Sequence, residues 1–106
     1  MYIGSTLERI GYGAFNGCSK LGNVIFSEDA VVTEIEGWAF ANCSALTEIN
    51  IPDSVTKIGN YVFSNCDILT SIKYRGSSSE WKSISKGSGW DSWTGSYTIT
   101  YDYTGE

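Results

Sequence analysis

Polar and apolar residues alternate in three short stretches of the chain, each a few positions after a leucine. After Leu46, the apolar residues Ile49 and Ile51 are separated by a polar one, and this period of two predicts a short strand with one buried face. The same pattern occurs twice more, as Leu21 with Val24 and Phe26, and as Leu69 with Ile72 and Tyr74. The chain is therefore predicted to contain three similar strands at a regular spacing.

The three strands belong to a longer internal repeat. A phenylalanine and a cysteine recur ahead of each leucine, at intervals of 25 and then 23 positions. The matching positions are Phe15, Phe40 and Phe63, and after them Cys18, Cys43 and Cys66. We expect the two extra residues of the first interval to lie within residues 27–30. Three copies in one register predict the stacked coils of a solenoid, with strands about 4.8 Å apart.

The central repeat also shows how one coil turns. Pro52 and Asp53 end the strand, because proline cannot donate to a sheet ladder. Val55 and Ile58 then form a second apolar stretch, which we place on the opposite wall, and Gly59 permits a tight bend after it. Since one coil cannot bury its apolar face alone, stacking joins these faces into a continuous core.

A family resemblance runs through residues 46–66, which read Leu-Thr-Glu-Ile-Asn-Ile-Pro-Asp-Ser-Val-Thr-Lys-Ile-Gly-Asn-Tyr-Val-Phe-Ser-Asn-Cys. This run resembles the BspA-like leucine-rich repeat, whose unit reads Leu-x-x-Ile-x-Ile-Pro-x-x-Val-x-x-Ile-Gly-x-x-Ala-Phe-x-x-Cys. The resemblance covers about residues 3–74 and departs from the unit at Gly4, at Val62 and at Glu36, which replaces the glycine of the Ile-Gly pair. It implies an α/β-type solenoid that is mostly β, a right-handed leucine-rich repeat stack of about three coils with a parallel strand ladder.

The resemblance also implies a biological setting. Repeats of this family resemble adhesion and protein-binding modules of exported proteins on the bacterial cell surface. An extracellular, non-enzymatic module with a protein ligand, such as a host or matrix protein, is therefore expected. The alternative is a structural spacer or cap in a longer surface array, which presents another domain and binds nothing itself.

The first residues align with the interior of the repeat. Residues 1–3 match Ile49 to Ile51, so no coil precedes the first predicted strand. We expect the chain to be a piece of a longer array, because solenoids usually end in a polar cap. An uncapped strand edge near Ile3 and Ile10 is also expected to favour self-association.

The chain changes character after Tyr74. Ser77 and Glu80 form a capping-box pattern, which predicts the start of a helix that carries Trp81 on its buried face. Gly87 has the residue type that commonly follows a helix, and we expect the helix to end there.

A closing strand is predicted near the C-terminus. Residues 97–103 alternate strictly and are rich in strand-forming residues. We expect the helix and this strand to cover the open end of the core. The chain is accordingly divided into leucine-rich repeat coils over residues 1–74 and a C-terminal capping segment over residues 75–106.

Composition narrows the functional classes. The chain of 106 residues has 7 basic and 12 acidic residues, no histidine and a net charge of −5, so a nucleic-acid partner is not expected. The lack of histidine removes Ser-His-Asp and Cys-His catalysis and the commonest transition-metal ligand. No apolar run approaches the roughly 18 residues that span a bilayer. We predict no enzyme activity, no cofactor, no metal site and no membrane insertion.

The cysteines occupy one position of the repeat, which favours a structural role in the inner corner of each coil. Their spacing, without histidine, does not fit a zinc site. Asp67 beside Cys66 opposes a reactive thiolate. Disulfide pairing between adjacent coils is the main alternative, but parallel side chains would strain it. We expect all three thiols to be reduced.

Outward residues of the strand ladder are the first candidate binding surface. They form two rows with one residue per coil: Asn23, Glu48 and Ser71, and Ile25, Asn50 and Lys73. Such an open and shallow surface suits a protein partner. Three coils supply only part of the roughly 800 Å² that each partner buries in a standard interface.

Aromatic residues near the C-terminus are the second candidate. Trp81, Trp90 and Trp93 lie close together in the sequence, and exposed aromatic rings stack on sugar rings. This reading predicts a carbohydrate-binding module. The alternative is that these large side chains cover the end of the core.

Overall fold

The computed structural model describes residues 1–105, which form a solenoid of two parallel β-sheets. The first sheet contains Tyr2–Ile3 (β1), Asn23–Phe26 (β3), Glu48–Ile51 (β5), Ser71–Tyr74 (β7) and Thr98–Thr100 (β9). The second sheet contains Arg9–Ile10 (β2), Glu34–Ile35 (β4), Lys57–Ile58 (β6) and Ser85–Lys86 (β8). All neighbouring strands are parallel, and a short helix, Ser78–Ser83 (α1), lies between β7 and β8. The predicted fold class, a mostly β solenoid with parallel ladders, is confirmed.

The described residues complete about four turns, one more than the cysteine-marked repeats. The extra turn comes from the segment after β7, because β8 pairs with β6 and β9 pairs with β7. This last turn lacks the cysteine and the phenylalanine of the others, which is why the repeat pattern does not show it. Parallel ladders tolerate such a change because backbone groups supply the pairing.

The core is a set of stacked rows between the two sheets. Inward residues of the first sheet, such as Ile49, and of the second, such as Ile58, are fully buried. Phe40 is also fully buried, and its ring lies 5.4 Å from that of Phe15 and 5.9 Å from that of Phe63, nearly parallel to both. The recurring phenylalanine therefore builds a continuous aromatic column through three turns.

Each turn places two residues in the left-handed region of the backbone. The first row of such positions consists of Gly13, Trp38, Tyr61 and Gly89, and the second of Gly17, Asn42, Asn65 and Trp93. Backbone hydrogen bonds run from one turn to the next along this segment, as from the Trp38 N–H to the Asn60 carbonyl at 2.9 Å. Glycine and asparagine adopt this conformation readily, but a bulky aromatic residue is strained there.

Polar side chains also repeat from turn to turn. The Asn65 amide donates to Asn42 at 2.8 Å, and the Asn42 amide donates to Asn16 at 2.9 Å. The Cys66 thiol donates to the Phe40 carbonyl at 3.1 Å, and Cys43 makes the same bond one turn earlier. All three cysteines are free. The neighbouring Cys43 thiol and burial together raise the pKa of the Cys66 thiol.

The C-terminal segment adds the last strand to each sheet. Its capping box is confirmed, because the Ser77 hydroxyl accepts from the Glu80 N–H and the Glu80 carboxylate accepts from the Ser77 N–H. The prediction that the helix ends at Gly87 is wrong, since α1 ends at Ser83 and the chain returns to the second sheet as β8. The closing strand is present but covers only β9, not all of residues 97–103.

Candidate binding surfaces

The outward face of the first sheet carries one row in continuous register. Asn23 pairs with Glu48, Glu48 with Ser71, and Ser71 with Thr98. These four side chains are exposed or half-exposed, as expected for alternate positions on a strand. The structure therefore brings together the first predicted row and extends it by one turn.

Asn50, which the sequence places in the second outward row, is only 3% exposed. Its side-chain oxygen accepts a 2.6 Å hydrogen bond from the Phe26 N–H. The β3–β5 register ends at Val24 and Ile49, so the Asn50 side chain supplies an acceptor where the ladder stops. The prediction that Asn50 is an open contact residue is wrong.

The rest of the second row remains accessible. Ile25 pairs with Tyr2 on one side and is half-exposed. Lys73 pairs with Thr100, forms a 3.3 Å ion pair with Glu48 and lies 5.0 Å from the centre of the Tyr103 ring. This face combines apolar, charged and hydroxyl groups.

The C-terminal tryptophans do not form one platform. Trp81 is 6% exposed, with its ring edge-on to those of Tyr74 at 5.1 Å and Trp90 at 5.8 Å. Trp90 is itself half-buried against the core. The expectation that Trp81 presents a ring to a sugar is therefore wrong, because the ring is buried against Tyr74 and Trp90.

Trp93 differs from the other two, because its side chain is 78% exposed. It stands at a left-handed position that Asn42 and Asn65 occupy in the preceding turns. Its indole lies beside a shallow cleft that Asp67 also lines. Of the three predicted stacking residues, Trp93 is the one whose ring is open to a ligand.

A further cleft, which sequence analysis missed, lies on the outer side of the second sheet. It has a volume of about 450 Å³, and its walls include Tyr12, Trp38 and Tyr61. The Trp38 and Tyr61 rings lie 4.9 Å apart with a tilt of 31°. Three glycines, Gly37, Gly59 and Gly87, line the same cleft. The one signal in the sequence was Glu36, which departs from the Ile-Gly pattern and also lines it.

Charges near this cleft are paired. The Glu36 carboxylate lies 3.6 Å from Arg9 and accepts a 3.2 Å hydrogen bond from the Tyr12 N–H. Glu34 lies 3.9 Å from Lys57. Within residues 1–105, no cluster of three His, Cys, Asp or Glu side chains is placed to hold a metal ion. The cleft is thus polar and aromatic, with its carboxylates balanced by cations.

Two parallel sheets, a phenylalanine column and left-handed turns at fixed positions define a leucine-rich repeat solenoid. The chain belongs to the family described as BspA type Leucine rich repeat region (6 copies), whose model matches residues 1–88. The family resemblance read from the sequence is confirmed. No curated protein matches the chain.

Among solved structures, the chain is similar to a leucine rich cell surface protein from Faecalibacterium prausnitzii A2-165. The two share 42% identity and superpose with a TM-score of 0.69. The match covers 74% of this chain and 20% of that one, so the chain spans about a fifth of that protein's length. In the part of the chain that the structure describes, no helix has the length and apolar character needed to cross a bilayer.

Proposed function

We propose that the chain is a non-enzymatic, protein-binding module of an exported bacterial cell-surface protein, with the outward face of the first sheet as its contact surface. The solved structure that resembles it is described as a cell surface protein, which supports this location. The family is one of repeat scaffolds, and stacked repeats commonly bind through extended surfaces. An adhesive role toward a host or matrix protein follows from the same setting.

The observation that carries this proposal is the register of the outward rows. Each turn adds one residue to the row of Asn23, Glu48, Ser71 and Thr98, so the chemistry of this row is set position by position. The second row is interrupted at Asn50. The contact set is Asn23, Ile25, Glu48, Ser71 and Lys73, with Asn50 left out because it is buried. Within this set only Ile25 is apolar, so the face has the polar character of the rim of a protein interface.

The size of the face sets an expectation for affinity. Standard interfaces bury roughly 800 Å² on each partner, and four turns offer a short row of outward residues. We expect the chain alone to bind its partner weakly, and a longer array of the same repeats to bind more tightly through added contacts.

We further propose that residues 75–106 act as the C-terminal cap of the array, with Glu106 lying outside the described residues. The edge-on cluster of Tyr74, Trp81 and Trp90 supports this role, since it replaces the parallel column of phenylalanines with rings that cover its end. A cap of this kind also fits the spacer alternative, in which the chain binds no partner.

The test reverses the charge of one lysine on the proposed face and of one lysine outside the first sheet. Lys73 pairs with Glu48 on the first sheet, whereas Lys82 is exposed on α1. We expect the full chain to bind an immobilised extracellular-matrix extract, Lys73→Glu to abolish binding and Lys82→Glu to preserve it, with the signal read by biolayer interferometry. Equal loss in both variants would assign binding to general charge. No binding by the unaltered chain would favour the spacer.

A further inference from the structure

Beside the cleft on the second sheet, several positions that hold glycine in other turns hold larger residues. The Gly59 N–H donates to Ile35 and the Gly87 N–H to Ile58, as the Glu36 N–H does to Ile10. Glu36 therefore stands in a row of glycines. Its carboxylate lies at the edge of the cleft, where the other turns have glycine and no side chain.

The left-handed row shows the same departure. Its outer members, Gly13 and Gly89, are glycines, whereas its central members are Trp38 and Tyr61, with φ of 59° and 56°. Bulky residues at such angles are strained, and strain of this kind is concentrated at functional sites. The backbone does not require an aromatic residue here, because glycine occupies the same position in the turns on either side.

Three aromatic rings line the cleft, those of Tyr12, Trp38 and Tyr61. Tyr12 is 70% exposed and makes no ring contact with another aromatic residue among residues 1–105. Its ring lies over Gly37, where an added Cβ would approach it to 3.2 Å. The Trp38 and Tyr61 rings, from the two central positions of the left-handed row, pack on one another. Tyr12, this ring pair and the three glycines all line the cleft.

Hydrogen-bonding groups stand next to the rings. The Glu36 carboxylate keeps acceptor capacity beyond the two contacts described above, because an ionised carboxylate accepts about four hydrogen bonds. The Asn60 side-chain oxygen accepts from the Ser88 N–H at 2.8 Å, and its amide nitrogen has no partner within residues 1–105. A ligand in the cleft therefore meets both hydrogen-bond acceptors, such as the Glu36 carboxylate, and donors, such as the Asn60 amide and the Trp38 indole N–H, next to apolar ring faces.

We propose that this cleft binds one neutral hexopyranose unit of an oligosaccharide. A pyranose has apolar C–H faces that stack on aromatic rings and hydroxyls that both donate and accept, which matches the walls and the edge groups. The volume of about 450 Å³ lies in the range of small-molecule sites. Paired carboxylates and cations favour a neutral sugar over a charged one.

A peptide fits this cleft less well. Extended peptides bind by adding a strand to an open sheet edge, but β4 and β6, which underlie the cleft, are paired on both sides. This sugar site is separate from the proposed protein-binding face, so either proposal can fail without the other.

The test is a titration of the ¹⁵N-labelled full chain with cellohexaose, maltohexaose, mannohexaose and xylohexaose, followed by NMR. We expect at least one of the three hexose oligomers to shift the NMR signals of the Trp38 indole N–H and the Gly37 amide saturably. Xylohexaose should not be the only sugar that binds. Tyr61→Ala should weaken binding by about tenfold or more. Tyr101→Ala is the matched control, because Tyr61 and Tyr101 are 37% and 36% exposed, and it should leave the affinity unchanged.

A second variant covers the case in which Tyr61→Ala disturbs the fold. Glu36→Gly restores the residue that the other turns have at this position, so it should fold normally and still weaken binding. The proposal is overturned if none of the four sugars binds saturably, or if xylohexaose alone does. It is also overturned if the shifts centre on the Trp93 indole, or if folded Glu36→Gly binds like the unaltered chain.

Discussion

The side-chain oxygen of Asn50 accepts a hydrogen bond from the backbone N–H of Phe26, one turn earlier, at 2.6 Å. The bond forms where the ladder between β3 and β5 ends. It holds an outward-position asparagine at 3% exposure, and it leaves the Asn50 amide nitrogen buried without a partner among the described residues. One side chain thus completes the pairing of a sheet that the backbone leaves incomplete.

Asn50→Ala should lower the free energy of unfolding by about 1–3 kcal/mol, because it leaves the buried Phe26 N–H without an acceptor. The change is measured by urea unfolding followed by circular dichroism. Ser71→Ala on the same sheet face is the control, since the half-exposed Ser71 hydroxyl makes no hydrogen bond among residues 1–105, and it should change stability by less than about 0.5 kcal/mol. Equal effects of the two variants would contradict a structural role for the Asn50 bond.

Phe40→Ala should destabilise the chain by about 3–5 kcal/mol, because it removes a fully buried ring from the middle of the aromatic column. Phe15→Ala should cost less, since Phe15 is only partly buried. The two variants are compared by thermal unfolding. A larger loss of stability for Phe15→Ala than for Phe40→Ala would contradict the prediction that burial sets the contribution of each ring.

The three thiols should differ in reactivity in the folded chain. Cys18 is half-buried, whereas Cys43 and Cys66 are buried, and the raised pKa of Cys66 keeps its thiol protonated. We expect iodoacetamide at about pH 8 to modify Cys18 first and to reach all three in urea, as counted by mass spectrometry. Fewer than three adducts in urea without reductant would reveal a disulfide.

Stability should fall in alkaline solution, partly through Tyr97. Burial and a 2.7 Å hydrogen bond to Asp91 raise the pKa of the Tyr97 phenol. Because the folded chain then holds this proton more tightly than the unfolded chain, the stabilisation is complete below the unfolded pKa of about 10 and is lost as the pH rises above it.

Tyr97→Phe removes this titration, so its free energy of unfolding should fall less steeply between about pH 10 and pH 11.5. Slopes rather than absolute values are compared, because the variant also loses the Asp91 bond at every pH. Urea unfolding at a series of pH values gives both slopes. Identical slopes would show that Tyr97 does not contribute to the alkaline loss.

Much of the fold was predictable because its determinants are local and repeated. The alternation after Leu46 identifies a strand with one buried face, and the recurrence of Phe40 and Cys43 fixes the length of a turn. The capping box at Ser77 lies within four residues. Such patterns can be interpreted without knowing which residues lie on the adjacent turns, because each pattern depends on residues that are close in sequence.

The errors concern residues whose environment is set by other turns. Asn50 occupies an outward position by alternation, but a missing ladder partner on β3 draws it inward. The sequence allowed two readings of Trp81, a stacking platform or a buried helix residue, and its contacts with Tyr74 and Trp90 show that it is buried. The repeat pattern does not predict the fourth turn, because β8 and β9 join the sheets through backbone pairing and lack the repeated side chains.

The sequence by itself determined the repeat, its period, the strands of the first sheet and the family, because each turn repeats the same local pattern. Tertiary structure alone decided which outward residues stay open, how many turns the stack contains and that Tyr12, Trp38 and Tyr61 line one cleft. The physical reason is that stacking joins residues more than twenty positions apart, and their exposure depends on what the adjacent turn places beside them.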